Sequence, residues 1–143
     1  MSYKTKTLYI SQSTIPGAGK GLFTSEAIKK GEQIIEYKGR IRTWKEVSNA
    51  SVFNGYVFYV NRSHVIDAKT YIQSLARYAN DAHGLTRVKG IINNAEYQKD
   101  DKKVYIHATR NIPAGAEIFV GYGKDYWDVV KENMKLEEAE KKV

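Results

Sequence analysis

The chain has 143 residues, 42% of them hydrophobic and 27% charged, which is enough for one domain with a continuous core and too apolar for a disordered tail. It carries no cysteine, which excludes disulfides, thiolate zinc sites and cysteine nucleophiles, and its three histidines, His64, His83 and His107, lack the spacing of a metal cluster. The net charge of +7 points equally to an anionic partner such as nucleic acid and to plain solubility, because the Lys and Arg residues are scattered.

In chain order, LYI (8–10) reads as a first short strand. The opening MSYKTKTLYISQS has no apolar stretch of a secretory signal, and no later window approaches the roughly 20 apolar residues of a membrane span. A glycine-rich turn follows in IPGAGKGLF (15–23), with its bend at Ile15–Gly19. A phosphate loop would need glycine where Thr14 stands and Ser or Thr where Gly21 stands. A dinucleotide fingerprint would need another spacing of Gly17, Gly19 and Gly21, and a long helix after them. What remains is a turn between strands, where missing Cβ atoms let backbone approach a ligand.

QIIEYKG (33–39), YVFYVN (56–61) and HVIDA (64–68) read as further strands, the first of them after a turn at Lys30–Gly31. Ile72, Leu75, Ala76 and Ala79 stand at helical spacing and predict a short helix between Tyr71 and Ala82. LARYANDA (75–82) then places Asn80 and Asp81 in apolar surroundings, and NNAEY (93–97) adds Asn93 and Asn94. These polar residues either cap a helix end or pin loops through side-chain hydrogen bonds. VYIHA (104–108) and EIFVGY (117–122) complete the strands, with turns at Asp81–Gly84 and Pro113–Gly115. From about Tyr126 the chain is helical in character, with Glu137–Lys141 and Glu138–Lys142 as i,i+4 pairs. The expected fold is mostly β, with short helical segments and a C-terminal helix.

Eleven tyrosines are many for this length, and several sit beside glycine: Tyr37-x-Gly39, Gly55-Tyr56 and Gly121-Tyr122-Gly123. A buried tyrosine is normally a core residue with a satisfied hydroxyl. Clustered tyrosines can also wall a channel for a cationic side chain and its alkyl stem. Composition leaves both meanings open.

Taken in order, IPGAGKGLF, KKGEQIIEYKG, HVIDA, ARYAND with NNAEY, and NIPAGAEIFVGYGKDYW resemble the SET-domain family over about residues 8–127. The ending Tyr122–Trp127 is most similar to the minimal SET proteins of large viruses and some bacteria. The resemblance implies a single SET domain over residues 1–143, with a core at about 8–127 and a helical extension at about 126–143. It implies small curved sheets around a pseudoknot, in which one segment threads a loop made by another, joined by short 3-10 and α segments. It also implies S-adenosylmethionine as methyl donor, no metal, and the side-chain amine of a protein lysine as acceptor, in a histone or another DNA-binding protein.

Carried over residue by residue, the resemblance assigns Ala18, Gly19 and Lys20 to the methionine part of the donor, through backbone groups. Tyr56, Tyr78, Asn80, Asp81 and Asn94 match positions at the cofactor or closing its block, and Trp127 would cover the site from the C-terminal side. Tyr37, Tyr97 and Tyr122 fall where the family walls its lysine channel, with Tyr122 at the catalytic position. The sequence departs from the family in three places. Asn-His-Ser-Cys becomes Asn80-Asp81-Ala82-His83 before a longer loop, Gly84–Ile92; no cysteine-rich zinc cluster follows; and Val120 replaces a larger residue that governs how many methyls are added.

Two other readings stay open. A SET-fold module with little turnover could grip a peptide, as the altered Asn80–Ala82 block allows. A basic β domain could bind nucleic acid through YKGR (37–40) or TRVKG (86–90). Lacking flanking domains, such a chain leaves room for a homodimer. Its expected place is inside the cell, cytoplasmic in a bacterium and nuclear, at chromatin, in or against a eukaryote.

Overall fold

The computed structural model describes residues 7–48, 54–84, 86–123, 126 and 135. In chain order its strands are β1 (Leu8–Gln12), β2 (Lys20–Thr24), β3 (Gln33–Glu36), β4 (Arg40–Arg42), β5 (Val57–Asn61), β6 (His64–Asp67), β7 (Ala95–Asp100), β8 (Lys103–Ala108) and β9 (Glu117–Ile118). They form three small antiparallel sheets in the orders β1-β2-β9, β3-β8-β7 and β4-β6-β5.

Burial follows position in the sheets. β8 alternates strictly, with Val104, Ile106 and Ala108 buried, because only one face of its sheet meets the core. The central strands β2 and β6 have buried side chains on both faces from Gly21 to Thr24 and from Val65 to Asp67. Most of the apolar side chains join one cluster that runs through Leu22, Ile34, Ile66, Val104, Ile106 and Ile118. A smaller cluster of Ile15, Ala82 and Phe119 packs with Ala18 and Ile91 beneath the glycine-rich turn.

The structure adds four elements to the sequence expectation and shortens two others. KGLFT forms strand β2, and RIR and AEYQKD form β4 and β7. A short helix α1 (Trp44–Ser48) also forms. A capping box starts it: the Thr43 N–H and hydroxyl donate to Glu46 Oε1 at 3.0 Å, and the Glu46 N–H donates to Thr43 Oγ1 at 3.2 Å. The helix expected between Tyr71 and Ala82 shrinks to a 3-10 segment, Leu75–Tyr78. Successive three-residue turns, Ser74 N–H to Tyr71 O, Arg77 N–H to Ser74 O and Ala79 N–H to Ala76 O, hold the chain too tightly for an α-helix. Ile72 consequently stays 66% exposed instead of joining an apolar face.

EIFVGY is a ladder strand only at Glu117–Ile118. Beyond that, Phe119 and Val120 form parallel bridges to Asn80 on one side and Ala95 on the other. The Val120 N–H donates to Asn80 O at 2.8 Å, and the Asn94 and Ala95 N–H groups both donate to Phe119 O at 3.0 Å. Loop 82–93 is closed at its base by Asn93, which accepts from the Ala82 N–H at 2.8 Å and donates to Asp81 Oδ1 at 3.0 Å. The C-terminal segment is therefore bonded to both sides of a closed loop, the kind of crossing a pseudoknot requires. Among the described residues no helix is long and apolar enough to cross a membrane. Of the C-terminal extension only Tyr126 and Lys135 are described, both in helical conformation; Trp127 lies outside the described residues.

Candidate active site

A cavity of about 680 Å³ opens where the glycine-rich turn, the loop before β5, the 3-10 segment and the crossing C-terminal segment converge. Its wall brings together Ala18, Gly19, Lys20, Tyr37, Tyr56, Tyr78, Asn80, Asp81, Tyr97 and Tyr122, which lie far apart in the sequence. Asn94 is not in the wall. It is occupied with the crossing segment, donating to Glu117 O at 3.0 Å and accepting from the Phe119 N–H at 2.8 Å. Val120 is wholly buried in the core and is likewise outside the wall.

The turn is built for backbone exposure. Gly19 has φ of +74°, which an L side chain rarely adopts, and a Cβ there would meet nothing within 4 Å. Its carbonyl accepts from the Ser13 N–H at 2.8 Å. Asn80 fixes the next residue by donating to Lys20 O at 3.0 Å. Glu117 anchors the turn from beneath: Ser13 Oγ donates to it at 2.7 Å, the Thr14 N–H at 2.8 Å and Thr14 Oγ1 at 2.7 Å.

Tyr37, Phe58 and Tyr97 pack as mutually tilted rings, with centroids 5.1 to 6.4 Å apart. Tyr122 meets Tyr126 edge to face at 4.8 Å. The Tyr37 hydroxyl donates to Tyr56 O at 2.8 Å, and the Tyr122 hydroxyl donates to Ala79 O in a short bond. Burial pushes the hydroxyls of Tyr37, Tyr97 and Tyr122 well above the ordinary value of 10.0, against a smaller opposing pull from Arg77 at Tyr37. Tyr126 shifts the same way for the same reason. At neutral pH these are uncharged phenols. A phenol that donates to a carbonyl is still able to accept a hydrogen bond at the same oxygen.

Asp81, 7% exposed, organises the crossing. Its Oδ2 accepts from the Tyr122 N–H at 2.9 Å, and its Oδ1 accepts from the His83 N–H at 2.8 Å and from Asn93 Nδ2 at 3.0 Å. Arg77 and Tyr126 are wall residues that the sequence reading misses. Arg77 Cζ lies 4.2 Å from the centroid of the Tyr56 ring and 5.1 Å from that of Tyr78. Among the described residues its buried Nε and Nη1 have no hydrogen-bond partner, and the guanidinium charge rests against the two rings. The available signal is an arginine placed between Ala76 and Tyr78 in an otherwise apolar stretch. Among the described residues no group of three or more His, Asp or Glu is placed to hold a metal.

Comparison with known proteins fits this geometry. The family profile described as SET domain matches residues 19–123. Human histone-lysine N-methyltransferase 2D is 32% identical over 128 residues, covering 85% of this chain and 2% of the human protein. Histone-lysine N-methyltransferase EZH2 of Chaetomium thermophilum is 28% identical over 145 residues, covering 93% of this chain and 9% of the fungal protein. The chain thus spans a small part of these relatives' length. A chain of an active polycomb repressive complex 2 in the stimulated state shares the fold, with a TM-score of 0.67 and 24% identity over 87% of this chain and 16% of that one. The chain belongs to the SET-domain family.

Proposed function

We propose that this chain transfers a methyl group from S-adenosylmethionine to the side-chain amine of a lysine in a histone or another basic protein. The observation that carries the reading is the meeting of a backbone-lined glycine turn and buried, neutral tyrosines in one cavity. A volume of about 680 Å³ is ordinary for a drug-sized ligand.

The wall suits the donor. Arg77 offers two buried N–H groups that no described residue accepts, and a ligand carboxylate would take them up. Tyrosine rings and the Asp81 carboxylate suit a sulfonium. Ala18, Gly19 and Lys20 supply peptide groups with little side-chain bulk. When bound, S-adenosylmethionine supplies the methyl group on a positively charged sulfur.

The remaining work belongs to the chain's own residues. A lysine of ordinary pKa ~10.4 loses its proton to water more readily once desolvated among Tyr37, Phe58 and Tyr97 and brought beside a cation. The Tyr122 hydroxyl donates to Ala79 O, so toward the amine its oxygen acts as an acceptor of the N–H and orients the nitrogen. It is not a general base: its hydroxyl is neutral and buried. The channel rings and the glycine turn would hold the amine in line with the donor's methyl group, and alignment of this sort supplies ~7–11 kcal/mol in favourable cases. Asp81 stands where most of the family has histidine; it holds the Tyr122 backbone N–H with one oxygen and fixes the His83 N–H and Asn93 with the other.

Calorimetric titration with S-adenosylmethionine and S-adenosylhomocysteine tests the site, followed by transfer of radiolabelled methyl to histones and other basic proteins. Saturable binding that Asn80→Ala abolishes by releasing the Lys20 carbonyl is the expected result. No binding at millimolar ligand would turn the reading toward a peptide- or nucleic-acid-binding module.

A further inference from the structure

We propose that the outer face of the β4-β6-β5 sheet, with α1, is a docking surface for a single strand of nucleic acid. Arg42 and Tyr59 both stand opposite Val65, and Arg40 stands two residues along β4 from Arg42, so all three share one face. Trp44 meets Tyr59 edge to face with centroids 5.4 Å apart. The Trp44 N–H donates to Arg62 O at 2.8 Å, which ties the start of α1 to the β5–β6 turn. Trp44 and Tyr59 nevertheless remain 41% and 47% exposed.

Arg40, Lys45 and Arg62 are exposed around these rings. The carboxylates nearby are already engaged. Asp67 is buried and receives Arg42 Nη1 at 2.9 Å, while Glu46 caps Thr43 and lies 3.9 Å from Arg42 Nε. None of Arg40, Lys45 and Arg62 forms an ion pair with a described residue.

The face therefore presents three exposed cations, none in a close ion pair with a described residue, beside two accessible aromatic rings, with Glu46 felt by Arg40 only at longer range. A single strand offers the complement of both: phosphates for the cations and unstacked bases for the rings. A duplex hides its base faces, and an acidic peptide brings charge alone. The net charge of +7 favours such a partner at long range. The surface also reaches the cavity, since Val57 lies in the cavity wall and stands opposite Asp67, the β6 partner of Arg40. The inference does not depend on methyl transfer.

The test is fluorescence anisotropy of a labelled oligothymidine of about 15 nucleotides with the full chain, across a salt series and without methyl donor. Saturable binding is expected, with affinity falling as salt rises. Arg40→Gln with Arg62→Gln should make the salt slope shallower by about 1.4. Tyr59→Leu, which keeps an apolar side chain in place, should weaken binding about tenfold and leave the slope unchanged. Lys99→Gln with Lys103→Gln, on the β3-β8-β7 sheet, should change neither, and circular dichroism checks that each variant is folded. A slope unmoved by the arginine substitutions, or wild-type affinity in Tyr59→Leu, would overturn the proposal. So would tighter binding of labelled polyglutamate than of the oligonucleotide, which would reassign the face to an acidic protein.

Discussion

Tyr122 has two tasks at a single oxygen: it satisfies Ala79 O and, on the proposed reading, orients the incoming amine. Tyr122→Phe separates them. Loss of the hydrogen bond should lower stability by about 1 kcal/mol. Turnover should fall about 100-fold or more, as when one preorganised polar group is removed, with donor affinity nearly unchanged. Single-turnover kinetics beside calorimetry reads both. Arg77→Met should behave in the opposite way. Removing a guanidinium whose Nε and Nη1 find no hydrogen-bond partner among the described residues should change the melting temperature little, because the desolvation relieved offsets the lost contacts with the Tyr56 and Tyr78 rings. Donor affinity should nonetheless fall about tenfold, as expected when a charge-assisted contact to the donor's carboxylate is lost. A donor analogue without the carboxylate should be indifferent to the substitution, and an equal loss for both ligands would remove Arg77 from that role.

Among the elements, the glycine-rich turn depends on what lies beneath β2. A Cβ on Gly21 would sit 2.3 Å from Glu117 Oε2, and Glu117 is held by Ser13, Thr14 and Asn80 with only 4% exposure. Gly21→Ala should cost about 2–3 kcal/mol in denaturant unfolding and loosen the turn. The sequence foreshadows much of this site through the order of its blocks: Ala18–Lys20, Tyr37, Tyr56, Asn80 and Tyr122 come from separate segments and meet in one wall. β8 is equally legible, because a half-buried strand has to alternate. β2 is not, since a central strand buried on both faces and opening on Lys-Gly shows no period of two. β7 carries Glu96, Gln98, Lys99 and Asp100 on a sheet edge, so its pattern reads as a loop until β8 pairs with it. α1 has a visible capping box in Thr43–Glu46 but only five residues, too few for helical periodicity. Asn94 groups with Asn80 and Asp81 in sequence, yet its amide is spent on Glu117 and Phe119. Such long-range pairing leaves no local mark.

For the molecule as a whole, the buried phenols and Asp67 set opposite limits on pH stability. The folded-state values of Tyr37, Tyr97 and Tyr122 lie above the unfolded value of 10.0, so the folded chain keeps protons that the unfolded chain has lost. Their contribution is complete below pH 10.0 and disappears as pH rises through the folded values. For Asp67, burial raises the carboxyl but is outweighed by the Lys69 N–H, Asn54 and Arg42, leaving it below 3.8. Its contribution is complete above 3.8 and is lost as pH falls through the lower folded value. Urea midpoints should therefore be nearly flat from about pH 5 to 9 and decline above pH 10, with a smaller alkaline decline in Tyr97→Phe. Finally, the crossing of Phe119–Tyr122 between the segments at Asn80 and Ala95 governs when the cavity can exist at all. Glu117 grips Ser13 across 104 residues of sequence, and Tyr122 lies on the same late segment. During synthesis the glycine turn therefore has no floor until Glu117, about a hundred residues after Ser13, has been made. Contacts of such sequence separation make for slow folding. Ligand competence should appear in one late step, with no partly built site earlier on the ribosome.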